Sequence, residues 1–346
     1  MRMRFSLDAE QRDFEQLLER VLAGAGVPAA VRAWARGEHG PGRTVWRRAA
    51  DAGVFTLAVP QEFGGAGLLP VEAGVAFTAL GRHCAPGPLV ETVAAAVLLA
   101  RLAEAGEAGP ARRWLARVCA GGAVLTLAAP GARPSALDAD AADALLVVEG
   151  DVLRLAPGHG PVRASVDPAR RLAVPDGGGE VLATGRAVRE AAAGATVWAA
   201  YATAAQALGV GLALLDKAVA YAGRRTQFGR PVGSFQAVKH RLADTLVGLE
   251  FARPLLHGAG VALASGAATA AGEVAAAKAA AGEAAYAAAR SALQVHGAMG
   301  YTAEYELSLW LGKARALRSA WGTPEQCREA ALRGLFPEAF HAVFHE

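Results

Sequence analysis

The second half of the chain constrains it most, because alanine-rich helical runs follow one another there with little interruption. One covers Thr196 to Arg225, a second Ser234 to about Gly258, a third Ala271 to Val295 and a fourth about Glu304 to Arg318. A last helix starts near Pro324. Alanine loses no side-chain entropy in a helix, and its small side chain lets helix axes approach closely. Long helices joined by short breaks predict an antiparallel bundle. Hydrophobic residues make up 53% of the 346 and mean hydropathy is +0.25, so a membrane span has to be considered. No run of about 18 uncharged apolar residues has the Leu/Ile/Val/Phe content of one. The longest alanine-rich segment is broken by Glu273, Lys278, Glu283 and Arg290, which is the spacing of a helix in water. The expectation is no membrane span. The opening residues turn acidic at Asp8 and Glu10 before a hydrophobic region forms, so no signal peptide is expected and a cytoplasmic location is.

Residues 6 to about 122 also read as helical. Ser6 can cap a helix whose apolar positions Phe14, Leu17, Leu18, Val21 and Leu22 follow three-four spacing. Trp46, Ala50 and Val54 continue the pattern, and further helices are expected over Val71 to Leu80, Val93 to Ala105 and Ala111 to Val118. From Ala123 the texture changes. Short apolar runs at Val124 to Ala128, Ala144 to Val148, Val152 to Leu155 and Arg171 to Val174 alternate with Gly, Pro and Asp, which is strand-and-turn punctuation. This stretch ends near Gly179 to Gly194. The order is helical, β, helical, with expected boundaries 1–122, 123–194 and 195–346.

Net charge is +3, from 35 basic and 32 acidic residues spread evenly, which argues against nucleic acid as a partner. Cys84, Cys119 and Cys327 form no CxxC pair and leave one over, so neither a disulfide framework nor a metal site is expected. The loop Gly64-Gly65-Ala66-Gly67 lacks the preceding strand and βαβ context of a dinucleotide fingerprint and reads as a plain interhelical loop.

Two segments carry more. Tyr221 to Pro231 places Arg224 and Arg225 at the end of a helix ahead of a Gly/Pro break. Arginines there can complement the helix dipole, and a guanidinium in a turn is also a bidentate partner for pyrophosphate. Gln294 to Thr302 ends a long helix with Gly297 and Gly300, which serve equally as a C-cap or as free amides for an anion. His296 reads as an interior histidine in preference to a catalytic one.

Taken together these residues resemble the acyl-CoA dehydrogenase family. RxQFGxPxxxFQ (Arg225, Gln227, Phe228, Gly229, Pro231, Phe235, Gln236), LADxxxxLE (Leu242 to Asp244, Leu249, Glu250), Lys278 and QVHGxxGYTxEY (Gln294 to Tyr305) recur in family order. VPQEFGGAGL (Val59 to Leu68) and LGRHCAPGPL (Leu80 to Leu89) are similar to its N-terminal domain. The resemblance implies a mainly α fold of N-terminal helices, a small β domain (here reduced) and a C-terminal four-helix bundle. It implies FAD as cofactor, an acyl-CoA thioester as substrate, an oligomer with FAD between subunits, and an electron-accepting flavoprotein as a partner. Carried over residue by residue, the implied FAD contacts are Arg225, Gln227, Phe228, Gln236, Gln294, Gly297 and Gly300, with Thr323 and Glu325.

The family reaction removes a proton from the α-carbon and sends a hydride from the β-carbon to the flavin, so it needs a base, usually a glutamate. In the run Ser319-Ala320-Trp321-Gly322-Thr323 the base position holds Trp321, whose indole can only donate. The alternative position, on the first bundle helix, falls near Ala199, and no carboxylate occurs between Ala191 and Leu215. Glu304, Glu306 and Glu325 are the nearest carboxylates in sequence and read as structural or solvated. The flavin- and ligand-contacting run of the family corresponds to Ala128 to Pro134, and no Trp occurs between Trp114 and Trp198 to cover the ring. This pattern is similar to subunits of heteromeric acyl-CoA dehydrogenases, in which one partner carries the glutamate. The expectation is an α,β-dehydrogenating subunit with a homologous partner subunit, or else a homo-oligomer. The alternatives are a silent scaffold completing a partner's FAD site, or a flavin monooxygenase on the same fold.

Overall fold

The structure is a computed structural model that describes residues 6–128 and 135–336. The family-like segment Ala129 to Pro134 lies outside the described residues. The chain opens with α1 (Ala9–Ala23), α2 (Val27–Ala35) and α3 (His39–Asp51). Asp8, and not Ser6, caps α1: its carboxylate accepts from the Gln11 amide, and the Gln11 side chain accepts from the Asp8 amide. A carboxylate beside the helix N-terminus satisfies an orphan donor and complements the dipole, which a serine two residues upstream cannot do. The expected helical run to Val54 stops at Asp51, because Gly53 turns the chain at φ +85° into a 3-10 turn, Val54–Thr56.

The glycine loop is not a plain interhelical connection. It closes a small hairpin of β1 (Ala58–Val59) and β2 (Gly67–Leu68), and a side chain at Gly65 would lie 1.8 Å from the Val59 carbonyl oxygen. Then come α4 (Pro70–Arg82), α5 (Leu89–Glu104) and α6 (Gly109–Cys119). Helix α5 starts one turn earlier than the apolar pattern suggests, and Leu89 through Ala100 are all buried. A helix apolar on every side belongs in a core.

Among the described residues the β region is an open four-stranded sheet with a two-stranded companion. Strands β3 (Leu125–Leu127), β5 (Ala144–Glu149), β6 (Val152–Leu155) and β8 (Glu180–Thr184) lie in the order β3-β5-β6-β8, parallel at the first pair and antiparallel at the others. Strands β4 (Ala136–Leu137) and β7 (Leu172–Ala173) pair separately.

Helix α7 (Arg186–Arg224) is the spine of the molecule and begins well before Thr196, where the sequence pattern starts it. Gly194 is no breaker here: a Cβ on it would meet the Arg101 side chain at 2.5 Å, so it is a packing glycine inside a helix. A short turn pairs β9 (Thr226–Gln227) with β10 (Arg230–Pro231) ahead of α8 (Gln236–Ser265). Helix α8 runs through Pro254 and past Gly258, and stops at Gly266 in the left-handed region. It is followed by α9 (Ala270–His296), a 3-10 turn Gly297–Tyr301, α10 (Leu307–Ser319) and α11 (Pro324–Leu335). Buried Ala277, Ala281, Ala285, Ala288 and Ala292 form the face that α9 presents to the core.

By length and composition alone α7 and α8 could each cross a membrane, which the sequence pattern had argued against. In α7, 89% of the most apolar window is buried inside the protein, so its apolarity is spent on the core. In α8 the share is 39%, and an apolar stripe of Val247, Phe251 and Leu255 at four-residue spacing faces outward.

Candidate functional site

The residues singled out from the sequence fall at two places. At the first, α7 ends and α9 ends side by side, because the Tyr221 and His296 rings stack at 4.1 Å. This brings Arg225, Gln227 and Phe228 to the same end of the bundle as Gln294, Gly297 and Gly300. Arg225 follows the last residue of α7, where its amide donates to the Tyr221 carbonyl at 2.9 Å and its side chain is exposed. Phe228 stands 92% exposed at φ +54°, an unusual conformation for an aromatic residue in contact with so little. Arg230 lies over the Phe235 ring at 4.1 Å and stiffens the turn. Gln236 starts α8, exposed. Gln294 and Gly297 are exposed while Gly300 is buried. The first place thus presents a guanidinium, an aromatic face and amide side chains to solvent next to a glycine turn. His296 is buried, its Nδ1 donates to the Ala292 carbonyl at 2.8 Å, and burial lowers its pKa, so it is an interior histidine.

Thr323 and Glu325 lie at the second place, separated from the first by α10, whose thirteen residues span about 20 Å. Thr323 caps α11, accepting from the Gln326 amide at 3.3 Å, and Glu325 is exposed in the first turn of that helix. Just before them, Trp321 turns the chain at φ +55° and walls a cavity of about 480 Å³ between the β region and the bundle. Its indole N–H donates to Glu91 Oε1 at 3.1 Å. Glu91 is buried on α5 and faces Arg170 at 3.7 Å. The turn is held from behind by Lys278, which is 1% exposed and donates to the carbonyls of Leu317, Arg318 and Gly322, each at 3.1 Å. Burial pulls the Lys278 pKa down to about 8.

The residues that the sequence reading puts at the two base positions are Trp321 and Ala199. Trp321 is itself a donor bound to a carboxylate, and Ala199 is wholly buried in the core cluster. Glu304 is exposed, with its backbone carbonyl held by Arg32 at 3.0 Å, and Glu306 is exposed near Lys217 at 3.8 Å. The carboxylate that does reach the cavity, Glu91, was missed because the apolar pattern starts the helix at Val93. The available signal was one acidic residue, followed by Thr92, inside a mostly apolar run, Leu89 to Ala100. The three cysteines are buried and free, and burial pushes the Cys84 thiol up to about 12.

The chain matches the family model of the acyl-CoA dehydrogenase N-terminal domain over residues 8–122 and that of the C-terminal domain over residues 190–336. It is 32% identical over 317 residues to acyl-CoA dehydrogenase IpdE2 of Mycolicibacterium smegmatis, covering 90% of this chain and 93% of that one. The chain belongs to the acyl-CoA dehydrogenase family. A chain of a variant of the Tcur3481-Tcur3483 steroid ACAD superposes with a TM-score of 0.82 at 26% identity, covering 95% of this chain and 98% of that chain. One chain of the ChsE4-ChsE5 complex from Mycobacterium tuberculosis shares the fold, with a TM-score of 0.78, 23% identity and 99% coverage of both. The family is one of FAD-dependent oxidoreductases.

The acyl-CoA dehydrogenase site of this chain is uneven in its fit to a flavin. At the first place stand the largely exposed Phe228 ring, which meets Phe235 edge-on at 6.2 Å, an exposed guanidinium, and a glycine turn with open space around Gly297. At the other place, Trp321 and the buried Glu91 wall the cavity.

Near this cavity sits a second buried acid. Asp138 lies at φ +52°, and its Oδ1 accepts from the Arg171 amide at 3.1 Å, with the Trp34 indole beside the carboxyl. Burial pushes its pKa up to about 7. A raised folded-state pKa means the native protein holds a proton that the unfolded chain releases near pH 4. The stability contribution is therefore complete below about pH 4 and is lost as pH rises through about 7. Asp138→Asn keeps the Oδ1 acceptor and tolerates the left-handed backbone, so it should flatten this part of the profile. Thermal melts from pH 4 to 8 check it, and parallel slopes in the two proteins would count against it.

Proposed function

We propose that this chain is one subunit of a hetero-oligomeric acyl-CoA dehydrogenase, gripping the nucleotide end of a FAD whose reactive ring lies in a homologous partner that supplies the base. The observation that carries the reading is the split between the two places. Arg225, Gln227, Phe228, Gln236, Gln294, Gly297 and Gly300, read as nucleotide contacts, lie toward one end of the bundle, while Trp321, read at the base position, is hydrogen-bonded to Glu91. Packing alone gives no reason to keep an exposed Phe228 beside Arg225 and Gln227. When bound, FAD supplies the hydride acceptor for α,β-dehydrogenation of an acyl-CoA thioester. This chain's residues supply charge-assisted hydrogen bonds to phosphate and a stacking face. The outward apolar stripe of α8 supports an oligomer, since a contiguous exposed apolar face marks an interaction surface. Thr323 and Glu325, at the start of α11, stand apart from this set. A cytoplasmic location and transfer of electrons to a further flavoprotein complete the proposal.

Co-expression with a glutamate-bearing homologue should give a hetero-oligomer with fewer FAD than chains, one per pair. Native mass and flavin absorbance decide it; one FAD per chain in a homo-oligomer of this protein alone would refute the arrangement. The purified chain by itself should show little acyl-CoA oxidation with an artificial electron acceptor. In the assembled complex Arg225→Ala should weaken FAD retention by about 1.5–3 kcal/mol, the worth of a charge-assisted contact. Unchanged FAD affinity would remove Arg225 from the site.

A further inference from the structure

A second cavity, of about 280 Å³, lies where α1, α4, α7 and α8 meet. Val71 and Val75 of α4, Leu208 of α7 and Leu256 of α8 give it apolar walls. Tyr201 of α7 lines it too, 1% exposed, its ring held edge-on to Trp198 at 6.4 Å. The hydroxyl is the part that reaches the cavity. A Cβ on Gly74, which itself lines the cavity, would come 2.3 Å from the oxygen, and one on Gly260 of α8 would come 2.4 Å from it. Two helices thus lack side chains where this oxygen stands. The oxygen makes no hydrogen bond with the described residues, and it is not sealed in as the Trp34 and Trp46 indole nitrogens are. The nearby Thr78 hydroxyl is spent on the Gly74 carbonyl at 2.8 Å. A phenylalanine would fill the same ring space with no polar atom left over. Nearly every buried polar atom in a native protein is paired, so this hydroxyl calls for a partner that enters through the cavity.

We propose that this cavity binds a small, neutral, largely apolar molecule through a carbonyl oxygen that accepts from the Tyr201 hydroxyl. Burial, with the Glu72 carboxylate acting on it, pushes the phenol pKa up, so the O–H keeps its proton and is there to donate. An anionic ligand would meet Glu72 and Glu15 with like charge, and the Arg253 guanidinium at the cavity is engaged by Glu250 at 2.9 Å. A ligand without an acceptor would leave the hydroxyl unpaired. The volume is just below the range of drug-sized ligands, which sets the size of the molecule. The site opens on another face of α7 than the cavity at Trp321. Thr196, which lines that cavity, precedes Tyr201 by five residues, about 140° round the helix. The inference rests on no part of the subunit reading above.

Acetophenone and α-methylstyrene share one shape, and the second carries a methylene in place of the carbonyl oxygen. In calorimetric titrations of the native assembly acetophenone should bind. In Tyr201→Phe its affinity should fall about threefold to tenfold, the range of one neutral hydrogen bond. The affinity of α-methylstyrene should not fall, because the variant keeps the ring and loses only the donor. Thermal stability of Tyr201→Phe without ligand should be unchanged or higher, since the hydroxyl has no protein partner to lose. A clear loss of stability would mean that the hydroxyl is already committed within the protein, and would overturn the proposal. No binding of acetophenone to the wild type, no fall in Tyr201→Phe, or an equal fall for both probes overturns it as well.

Discussion

Replacing Lys278 by Met should destabilise the protein by about 2–4 kcal/mol, measured by urea unfolding. The methionine fills nearly the same space and removes the cost of burying an ammonium, a cost visible in the pKa pulled down to about 8. Against that gain, the carbonyls of Leu317, Arg318 and Gly322 lose their shared donor at the end of α10. Three acceptors orphaned at about 1–3 kcal/mol each outweigh one relieved desolvation. The pH dependence gives an independent reading. The unfolded lysine holds its proton to about pH 10.5, the native one only to about 8, so the unfolded state binds more protons across that window. Wild-type stability therefore carries a rising component from about pH 8 to 10.5, and the Met variant should lack it. A variant that keeps the same rise would show that Lys278 is not its source. The Trp321 turn should also loosen in the variant, because Lys278 is what fixes Gly322 behind it.

Gly209→Ala should destabilise by about 1–3 kcal/mol although alanine is the better helix former. Helices α4 and α7 touch backbone to backbone through a reciprocal pair of glycines. A Cβ on Gly209 would lie 1.9 Å from the Thr78 carbonyl oxygen, and one on Gly81 would lie 2.1 Å from the Gln206 carbonyl oxygen. The intrinsic gain of Gly to Ala in a helix is about 1 kcal/mol. Relieving either overlap requires two long helices to separate along a contact that also seats Phe77 and Leu208. The steric term wins. Gly81→Ala should behave alike, and the double variant should cost less than the sum, because the first separation makes room for the second side chain. A thermal or urea scan showing any gain from Gly209→Ala would mean that the helices do not meet this closely in solution.

Helix content and fold family could be read from the sequence because they depend on local signals. Alanine runs, charge at helical spacing and the glycine turn after His296 act within a few residues of themselves. The motifs of the bundle recur in family order, and the family and its fold followed from them. Boundaries were less legible. Gly194 and Gly258 look like breakers in a string of letters, yet helices pass through both. Gly194 is small because Arg101 crosses it, a fact about a neighbour far along the chain. Ser6 and Asp8 are both competent caps, and the carboxylate prevails because it also pairs with Gln11.

The Trp321 cavity shows the same division at the level of the site. That Trp321 and Ala199 stand where the family motifs are read to place a base is a matter of sequence alone. That Trp321 is bound to Glu91 is not, since the two stand 230 residues apart. Neither residue has a local feature that announces the other, and the acid lies in a run that mostly reads as core. The sequence by itself determined which side chains are available and where helices can form. Only the tertiary structure decided that α5 delivers a buried acid to the cavity, that Arg170 is set beyond hydrogen-bond length from it, and that one of its oxygens is left without a partner. Such pairings depend on how helices distant in the chain pack against each other, and packing is decided by the shape of the whole core.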